Sequence, residues 1–477
     1  MQSNQHYHLD FLKSAFSYDN PYYSVAEVKK WIATQNRKVE VNIRKIPFSA
    51  LNDWDFYDDH LALRHESGKF FSIDGIRVNT NWGSRQEWEQ PIINQPEVGL
   101  LGFITREING ILHFLMQAKI EPGNVNFVQL SPTLQATKSN YSRVHRGKTP
   151  AFLEYFINAS PDQVLVDQLQ SEQGARFLKK RNRNIIIKIQ DEIEVPDNFI
   201  WLTLAQVKEL MREDNLVNMD TRTVIAGIPF GEYEPEVTGF FNFLNRNREV
   251  DSIPARMLQS LLTSQNALHS FDGILQFVTR LKTQYELKVE KLPLNQLDGW
   301  QIGEAEIYHR ERKFFRIIAV EVLIGNREVQ SWTQPMIEPA QEGLCVFIAK
   351  EINGLLHFAV QAKLECGNFD IIEFAPTVQC LTGNYRNEKS MKTLPFLDYV
   401  LTVQPEQVIY DTLQSEEGGR FYREQNRNMI ILAGDEISRK LPSNYIWMTL
   451  HQLQTFIKFN NYINIQARSL LSAINFN

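Results

Sequence analysis

The chain carries two copies of one long segment, and this duplication limits the folds that it can adopt more than any other feature. The stretch QPIINQPEVGLLGFITREINGILHFLMQAKIEPGN begins at Gln90, and QPMIEPAQEGLCVFIAKEINGLLHFAVQAKLECGN begins at Gln334, an offset of 334 − 90 = 244. More than half of the aligned positions are identical. A repeat of this length is a duplicated domain rather than a solenoid unit. We therefore expect two similar domains that pack about a pseudo-twofold axis.

The duplication also sets the expected domain boundaries. An offset of 246 aligns the outer parts of the copies, because Trp54 then matches Trp300. The connector between the copies is rich in Gly, Pro, Glu and Asn, which favours a loop followed by a helix. The sequence predicts an N-terminal segment at 1–28, a first domain at 29–228, a connector at 229–273 and a second domain at 274–477.

Each copy has the pattern of an α+β domain, in which a mixed sheet is flanked by helices. The segment 40–44 alternates polar and apolar residues, which is typical of a half-buried strand, and 286–290 repeats the pattern. Asn109-Gly110 lies between two apolar runs and predicts a tight hairpin, which Asn353-Gly354 repeats. Each copy therefore contains at least one long β-hairpin.

The strand that returns from the first hairpin is expected to have an unusually polar face, because side chains alternate along a strand. The apolar face would carry Leu112, Phe114, Met116 and Ala118. The polar face would carry His113, Gln117 and Lys119, and the second copy keeps them as His357, Gln361 and Lys363. Polar residues retained twice either line a ligand pocket or form buried hydrogen-bond networks, which folded cores also need.

The segment SEQGARFLKKRNRN is the strongest candidate for binding an anion. Ser171 stands at the N-cap position of a predicted helix at 172–183, and free N–H groups at a helix start favour anions. On such a helix Arg176, Lys180 and Arg183 would share one face and match a diphosphate. The alternative is a solvated basic face paired with nearby acids. In the second copy Lys180 is replaced by Glu424, which would weaken or change the site there.

Aromatic and histidine residues offer weaker signals. Trp54 and Trp300 could each stack on a pyrimidine base, although tryptophans more often belong to the core. His65 and His113 are retained in the second copy, and a histidine beside an apolar strand is more often structural than functional. For these residues the sequence alone leaves open whether they bind a ligand or belong to the folded core.

Composition narrows the class of protein. Hydrophobic residues make up 43% of the chain and charged residues 22%, as in soluble globular proteins. The 50 Lys and Arg against 56 Asp and Glu give a net charge of −6, which argues against general nucleic-acid binding. Three cysteines fit a reducing compartment, and no apolar run resembles a signal peptide or spans a bilayer. We expect a cytoplasmic protein that contacts neither nucleic acid nor membrane.

Strong catalytic signatures are missing from the sequence. There is no phosphate-binding loop of the Walker A type, no dinucleotide G-x-G-x-x-G after a strand, and no H-E-x-x-H or C-x-x-C metal or redox motif. The nucleophile elbow G-x-S-x-G is also missing. The sequence therefore predicts no metal and no cofactor.

Taken together, five strings resemble the NDP-hexose 2,3-dehydratases of deoxysugar biosynthesis. They are QPII…GLLGF, HFLMQAKIEPGN, SPTLQATKSNY, LQSEQGARFLKKRNRN and NMDTRTV, and the resemblance covers nearly the whole chain. It implies two tandem Nudix-like domains, a homodimer and two nucleotide-sugar pockets in each subunit. The chain lacks the Nudix box, so metal-dependent diphosphate hydrolysis is not expected.

The resemblance also implies a reaction. The substrate would be dTDP-4-keto-6-deoxy-D-glucose, from which a base removes the C3 proton while the C2 hydroxyl leaves with help from an acid. The product would be a 2,6-dideoxy-3,4-diketo sugar that a partner 3-ketoreductase traps. This chemistry needs no cofactor. The alternatives are a non-catalytic nucleotide-sugar binding protein and another enzyme acting on a dTDP-sugar, such as an epimerase or a hydrolase.

We expect one competent pocket, built mainly on the first copy, although a pocket that straddles both copies through Trp300 or Arg420 would change this interpretation. The predicted acid or base is Glu172 or His145, and Lys119 would stabilise the enolate. The residues predicted to bind substrate are Trp54, His113, Gln117, Gln135, Ser139, Asn140, Tyr141, Arg143, Ser171, Arg176, Lys180, Arg183, Arg222, Trp300, Lys363, Gln379, Asn384, Tyr385, Ser415, Glu416, Gly418 and Arg420.

Overall fold

Four β-sheets, two large and two small, organise the parts of the chain that the structure, a computed structural model, describes: 7–57, 61–137, 150–231, 252–325, 331–385 and 393–477. The first half contributes β1 (Val41–Ile46), β2 (Trp54–Tyr57), β3 (Ala62–His65), β4 (Ser72–Thr80), β5 (Glu87–Asn94), β6 (Gly99–Ile108), β7 (Ile111–Ile120), β8 (Val128–Ser131), β9 (Leu134–Ala136), β10 (Val164–Ser171), β11 (Arg181–Ile189) and β12 (Phe199–Thr203). The second half contributes β13 (Leu287–Leu292), β14 (Trp300–Ile302), β15 (Glu306–His309), β16 (Phe315–Ile324), β17 (Ser331–Pro339), β18 (Gly343–Ile352), β19 (Leu355–Lys363), β20 (Glu373–Ala375), β21 (Val378–Leu381), β22 (Val408–Ser415), β23 (Gln425–Ala433) and β24 (Tyr445–Thr449).

Helices cover the sheets and occupy matching places in the two halves. The α-helices are Tyr7–Phe16, Val25–Arg37, Leu153–Ile157, Leu204–Leu210, Met219–Ala226, Ile253–Leu262, Phe271–Gln284, Leu397–Thr402, Leu450–Ile457 and Ile465–Ser472. Short 3₁₀ turns span Phe48–Ala50, Leu294–Gln296, Thr382–Tyr385 and Pro405–Gln407. None of the helices in the described ranges is both long enough and apolar enough to cross a bilayer. The predicted α+β class and the repeated halves are confirmed.

Each half contains one seven-stranded mixed sheet. In the first half the strand order is β10-β11-β6-β7-β12, with β8 beside β7 and β9 beside β6, and only the pairing of β11 with β6 is parallel. The second half repeats this order with β22, β23, β18, β19 and β24. The same fold is therefore built twice, as the duplication predicts.

The two five-stranded antiparallel sheets combine strands from both halves. Strand β1 of the first half pairs with β16 of the second, from Val41 opposite Ile324 to Ile46 opposite Ala319. Strand β13 of the second half pairs in the same way with β4 of the first. Because each half lends its first strand to the other, neither half completes its small sheet from its own residues.

The predicted hairpins and strand faces are confirmed. Asn109 and Gly110 join β6 to β7 with positive φ angles of 52° and 79°, the left-handed values that a tight hairpin turn needs. Asn353 and Gly354 join β18 to β19 with φ angles of 53° and 78°. The apolar face of β7 lies in one buried cluster, which contains Leu112, Phe114, Met116 and Ala118.

The predicted helix at 172–183 is wrong. Strand β10 ends at Ser171, a turn follows, and β11 begins at Arg181. The turn closes where the N–H of Glu172 donates to the carbonyl of Lys180 at 3.0 Å. Three isoleucines at 185–187 favour a strand, and pairing with β10 and β6 extends it back to Arg181. Ser171 is therefore not an N-cap, and the three basic residues do not share a helix face.

Backbone contacts between the halves come in reciprocal pairs. The N–H of Gly123 donates to the carbonyl of Gly418 at 2.7 Å, and the N–H of Gly367 donates to the carbonyl of Gly174 at 2.7 Å. At the centre of this interface the rings of Phe177 and Phe421 meet edge to face, 5.8 Å apart. Such matched pairs are what a pseudo-twofold axis between the halves produces.

Replacing Gly123 by alanine should destabilise the fold, because a Cβ there would lie 1.6 Å from the carbonyl oxygen of Phe421. Backbone of the opposite half cannot rotate away as a side chain could, so we expect a loss of about 1–3 kcal/mol or more. Thermal or denaturant unfolding measures the change. Gly325→Ala is the control, since its Cβ would meet its nearest neighbour at 3.8 Å. Equal stability of the two variants would contradict the close approach of the halves.

Candidate active site

A cavity of about 900 Å³ lies between the sheets of the first half and two parts of the second half, the start of β17 and the turn after β22. Its first-half wall is formed by Asn52, Asp53, Trp54, His65, Phe70, Phe71, Gln95, Gly99, Leu101, Gln117, Lys119, Glu121, Pro122, Gln135, Ala136, Thr137, Pro150, Glu172, Phe177, Lys180, Asn182 and Asp220. The second half adds Ser331, Trp332, Thr333, Gln334, Glu417, Gly419 and Arg420. The cavity thus lies mainly on the first copy and straddles both.

The polar face of β7 supplies one side of the cavity. Gln117 and Lys119 both line it, as expected from the alternation along the strand, whereas His113 does not. Lys119 donates from Nζ to the carbonyl of Gln135 on β9 at 3.3 Å. Gln135 in turn donates from Nε2 to Oε1 of Glu121 at 2.6 Å. Gln135 on β9 therefore bonds to both a lysine and a carboxylate at the end of β7.

Glu172 lies in the turn after β10 and is almost completely buried. Nδ2 of Asn182 donates to its Oε1 at 2.5 Å, while Oδ1 of Asn182 accepts from the N–H of Gly99 at 3.1 Å. Burial raises the pKa of the Glu172 carboxyl, and the positive charges of Lys180 and Arg468 oppose that rise. The carboxyl is thus fixed in position and can change its protonation state.

Asp220 is a second buried carboxyl in the same cavity. Asn218 caps its helix, Met219–Ala226, by accepting from the N–H of Thr221 at 2.8 Å. The amide of Asn218 also donates to Oε1 of Gln135 at 3.1 Å, which fixes the helix start against β9. Burial, together with the negative charges of nearby glutamates, raises the pKa of Asp220 well above its usual range. Its Oδ1 has no hydrogen-bond partner within the described ranges.

Lys180 provides a second cation. Its Nζ donates to the carbonyl of Glu97, and the residue is only 5% exposed. Burial lowers the pKa of Lys180, and the negative charge of Glu172 opposes that change. A lysine whose charge is poorly solvated gains most from a negatively charged ligand in the cavity.

The second half contributes two charged residues to the cavity. Burial raises the pKa of Glu417 to about 7, and the charge of Arg420 opposes the rise. Oε1 of Glu417 accepts from the N–H of Gly419 at 3.0 Å, while its Oε2 is buried and unpaired as far as the structure describes the chain. The guanidinium of Arg420 lies 4.3 Å from the ring centroid of Phe71. Arg420 of the second half therefore contacts the first half, which agrees with the alternative of a pocket that straddles both copies.

One end of the cavity is aromatic. Trp54 meets His65 edge to face at 5.4 Å and lies 4.8 Å from the ring of Phe71. Trp54 is 7% exposed, so the cavity meets only part of its ring system. This end is suited to a planar apolar group, while the other end presents carboxyls and lysines.

The second half keeps much of this arrangement. Lys363 donates to the carbonyl of Gln379 at 3.3 Å, and Gln379 donates to Glu365 at 3.0 Å, as their first-half counterparts do. Asn426 likewise donates to Glu416. Charge differs at several aligned positions, since Glu424 stands where the first half has Lys180, Gln466 where it has Asp220, and Glu417 where it has Gln173.

The substitution by Glu424 changes the electrostatics of the second half. Burial raises the pKa of Glu416 to about 8, and the neighbouring charge of Glu424 raises it further, against the charge of Arg222. Two buried carboxyls thus face each other where the first half has a carboxyl and a lysine. An anionic ligand would be repelled there as soon as either carboxyl ionised.

Several predicted substrate-binding residues make contacts elsewhere instead of lining the cavity. Arg176 lies over the ring of Phe315 at 4.2 Å, and Arg183 pairs with Asp167 at 2.7 Å on the surface. Arg222 is fully buried and donates to the carbonyl of Ser415. None of these three arginines lines the cavity, and Arg176 makes toward the second half the same kind of ring contact that Arg420 makes toward Phe71.

Other residues that were predicted to bind substrate also make contacts within the protein instead of lining the cavity. His113 shares a hydrogen bond with the carbonyl of Ile111 at 2.8 Å, and burial lowers its pKa. Trp300 donates to the carbonyl of Glu89 at 2.9 Å, and the hydroxyl of Ser171 donates to Glu373 at 2.7 Å. Ser139, Asn140, Tyr141, Arg143 and His145 lie outside the residues that the structure describes, as do the side chains of Asn384 and Tyr385.

Reasoning from the sequence did not assign five titratable residues that line the cavity: Asp53, His65, Glu121, Asp220 and Glu417. Retention in both copies pointed away from Asp220, which is Gln466 in the second copy, and from Glu417, whose first-copy counterpart is Gln173. For Asp220 and Glu417 the available signal was a difference in charge between two otherwise similar copies.

Comparison with known proteins matches this chain along nearly its whole length. A family model described as NDP-hexose 2,3-dehydratase matches residues 25–228 and again residues 272–474. A Saccharopolyspora spinosa protein named dTDP-4-dehydro-6-deoxy-alpha-D-glucopyranose 2,3-dehydratase is 44% identical over 466 residues, covering 97% of this chain and 94% of that protein. Proteins of the same name from Amycolatopsis orientalis (38% identity, 97% and 92% covered) and Streptomyces violaceoruber (41% identity, 93% and 95% covered) also match.

Glu416→Gln should flatten the pH dependence of stability. The folded pKa of Glu416, about 8, lies above the ordinary value of 4.5, so its stabilising contribution is complete below pH 4.5 and is lost as the pH rises through 8. The variant, whose amide keeps an acceptor for Asn426, should lose less stability than wild type between pH 5 and 8, by roughly a few kcal/mol. Denaturant unfolding at several pH values measures this. An identical slope would contradict the raised pKa, and Glu406→Gln at an exposed position is the control.

Proposed function

The chain belongs to the NDP-hexose 2,3-dehydratase family, and we propose that it removes water across C2 and C3 of dTDP-4-dehydro-6-deoxy-α-D-glucopyranose, the reaction for which its relatives are named. The observation that carries the proposal is a cavity with two buried carboxyls, Glu172 and Asp220, and two lysines, Lys119 and Lys180. An elimination next to a ketone needs a base, an acid and a cation for the developing oxyanion.

The chemistry determines what these groups must do. The C4 ketone acidifies the proton on C3, which passes to a base. The electrons of that C–H bond form the C2–C3 double bond as the C2–O bond breaks, and an acid supplies the proton that converts the departing hydroxide into water. The resulting enol tautomerises to a 3,4-diketone with a methylene at C2. Electrons and protons balance without an oxidant or a reductant.

Glu172 fits the base and Asp220 fits the acid, because their environments differ. Two positive charges and a hydrogen bond from Asn182 favour the ionised form of Glu172 against burial. Asp220 has mainly negative neighbours, and burial together with their charges raises its pKa well above its usual range, which favours the protonated form that an acid requires. Two carboxyls whose environments move their pKa values apart are the usual arrangement for paired acid and base roles.

The cations and the aromatic end fit the rest of the substrate. Lys119 would stabilise the negative charge on the C4 oxygen, since it lies on the strand that faces the carboxyls. Lys180 and Arg420 would bind the diphosphate, and the surroundings of Trp54 would receive the thymine. The residue roles in this assignment are proposals that follow from charge and position.

We also propose the assembly and setting that the family resemblance implies. Each half would be a Nudix-like domain, with the mixed sheet between helices as its supporting feature, and the domains would follow the predicted ranges 29–228 and 274–477. Two subunits would form a homodimer. The diketo product would pass to a 3-ketoreductase. The free thiols of Cys345, Cys366 and Cys380 are consistent with a reducing cytoplasm.

The decisive assay follows the sugar by NMR. Purified protein is incubated with dTDP-4-dehydro-6-deoxy-glucose and a 3-ketoreductase, and the reaction should produce new methylene signals at C2. If the substrate binds but its C2 proton signal persists, the protein is a binding protein for this sugar and the dehydratase proposal fails. Release of free dTDP without a C2 methylene would indicate a hydrolase instead.

Glu172→Gln should lower kcat by about 10²–10⁴-fold, because the amide cannot accept the C3 proton. Lys119→Met should lower kcat by about 10²-fold through loss of enolate stabilisation. The matched variants Glu416→Gln and Lys363→Met change the equivalent positions of the second half, and they should retain most of the wild-type kcat. The NMR assay measures all four, and a larger loss in the second pair would place the reaction in the other half.

A further inference from the structure

Arg468 is a fully buried cation that crosses from the second half into the backbone behind Glu172. It lies on the helix Ile465–Ser472 and is 1% exposed. Its Nη2 donates to the carbonyl of Ser171, the residue next to Glu172, and its Nε donates to Oγ1 of Thr223 at 2.8 Å. Its Nη1 donates to the carbonyl of Ile463 at 2.5 Å. The guanidinium is thus tied on three sides.

We propose that Arg468 is a positioning residue for Glu172, an inference that rests on the proposed role of Glu172 as base. Arg468 holds the Ser171 carbonyl and thereby fixes where the chain leaves β10 and where the Glu172 side chain starts. The hydroxyl of Ser171 is held as well, since it donates to Oε2 of Glu373 at 2.7 Å. Two second-half residues therefore anchor the residue that precedes the catalytic carboxyl.

The charge of Arg468 adds an electrostatic effect to this geometry. Burial lowers the pKa of Arg468 to about 10, and the charges of Glu373 and Glu172 oppose that change. A cation that stays charged behind Glu172 favours the ionised carboxylate that a base requires. The charged groups that face Glu172 from the surrounding elements are Lys180, Arg468, Asp220, Glu416 and Glu417.

The reciprocal arginine makes the same kind of contact in the opposite direction. Arg222 donates to the carbonyl of Ser415 and to Oγ of Ser469, behind Glu416. The hydroxyl of Ser415 donates at 2.8 Å to Gln129, the neutral counterpart of Glu373. The chain thus contains its own matched control, in which an equally buried arginine supports the half that lacks Lys180 and Asp220.

The test compares Arg468→Lys with Arg222→Lys. A lysine cannot reproduce the fork of donors, so both variants should lose similar thermal stability. Arg468→Lys should lower kcat by about 10- to 100-fold because the base is displaced. It should also move the pH limb that belongs to Glu172 upward, by up to about 1 unit. Arg222→Lys is the control for the effect on Glu172, since Arg222 lies on the helix of Asp220 and donates to the carbonyl of Asn218 at 3.3 Å. Equal kcat and equal pH profiles in the two variants would overturn the proposal.

A second readout separates this proposal from the proposed function. The Glu172 carboxyl is titrated by ¹³C NMR in protein labelled at glutamate, with Glu172→Gln used for assignment. Its pKa should rise in Arg468→Lys and stay unchanged in Arg222→Lys. If the wild-type protein shows no turnover, the dehydratase proposal fails, but the titration still tests the role of Arg468. An unchanged Glu172 pKa in Arg468→Lys would refute the positioning role. If Arg468→Lys does not fold, Thr223→Val takes its place, with Ser469→Ala as its control. Thr223→Val removes the acceptor of Arg468 Nε together with a longer bond from Asn184 at 3.5 Å.

Discussion

The exchange of elements between the two halves is the constraint on which the rest of the structure depends. Strand β1 completes a sheet of the second half and β13 completes a sheet of the first, so each half needs the other to satisfy the backbone groups of its own strands. The reciprocal glycine contacts and the crossing arginines follow from the same arrangement. A cavity placed between such halves receives residues from both, which is how Glu417 and Arg420 enter it.

Burial is the physical cause of most of the site's chemistry. Removing carboxyls from water raises their pKa values, and the neighbouring charges then decide how far each one moves. Glu172 has cations behind and beside it, whereas Asp220 has mainly anions around it. Burial and neighbouring charge also explain the raised pKa of Glu416 in the second half, where Glu424 in place of Lys180 leaves Glu416 beside another carboxyl. The exchange of lysine for glutamate thus gives the two halves different electrostatics at this position.

Prediction from the sequence succeeded where a pattern was local. The hairpins at Asn109-Gly110 and Asn353-Gly354 and the alternation along β7 depend on residues a few positions apart, and the duplication is visible by direct comparison of the two copies. It failed at 172–183, where charged residues with helical spacing form a turn and a strand instead. Strand β11 is held by partners on both sides, and those hydrogen bonds outweigh the weak local preference for a helix.

The sequence by itself determined the α+β class, the two copies and the family, and it named Glu172, Lys119 and Lys180 as candidates, because residue identity and short-range spacing carry that information. Only the tertiary structure decided which sheet each strand completes, that Asp220 and Glu417 line the same cavity as those candidates, and that Arg176, Arg183 and Arg222 lie outside it. These facts depend on contacts between residues some 200–300 positions apart, such as the bond from Arg468 to Ser171, which spans 297. Such contacts arise from packing and desolvation of the whole chain, and no local pattern encodes them.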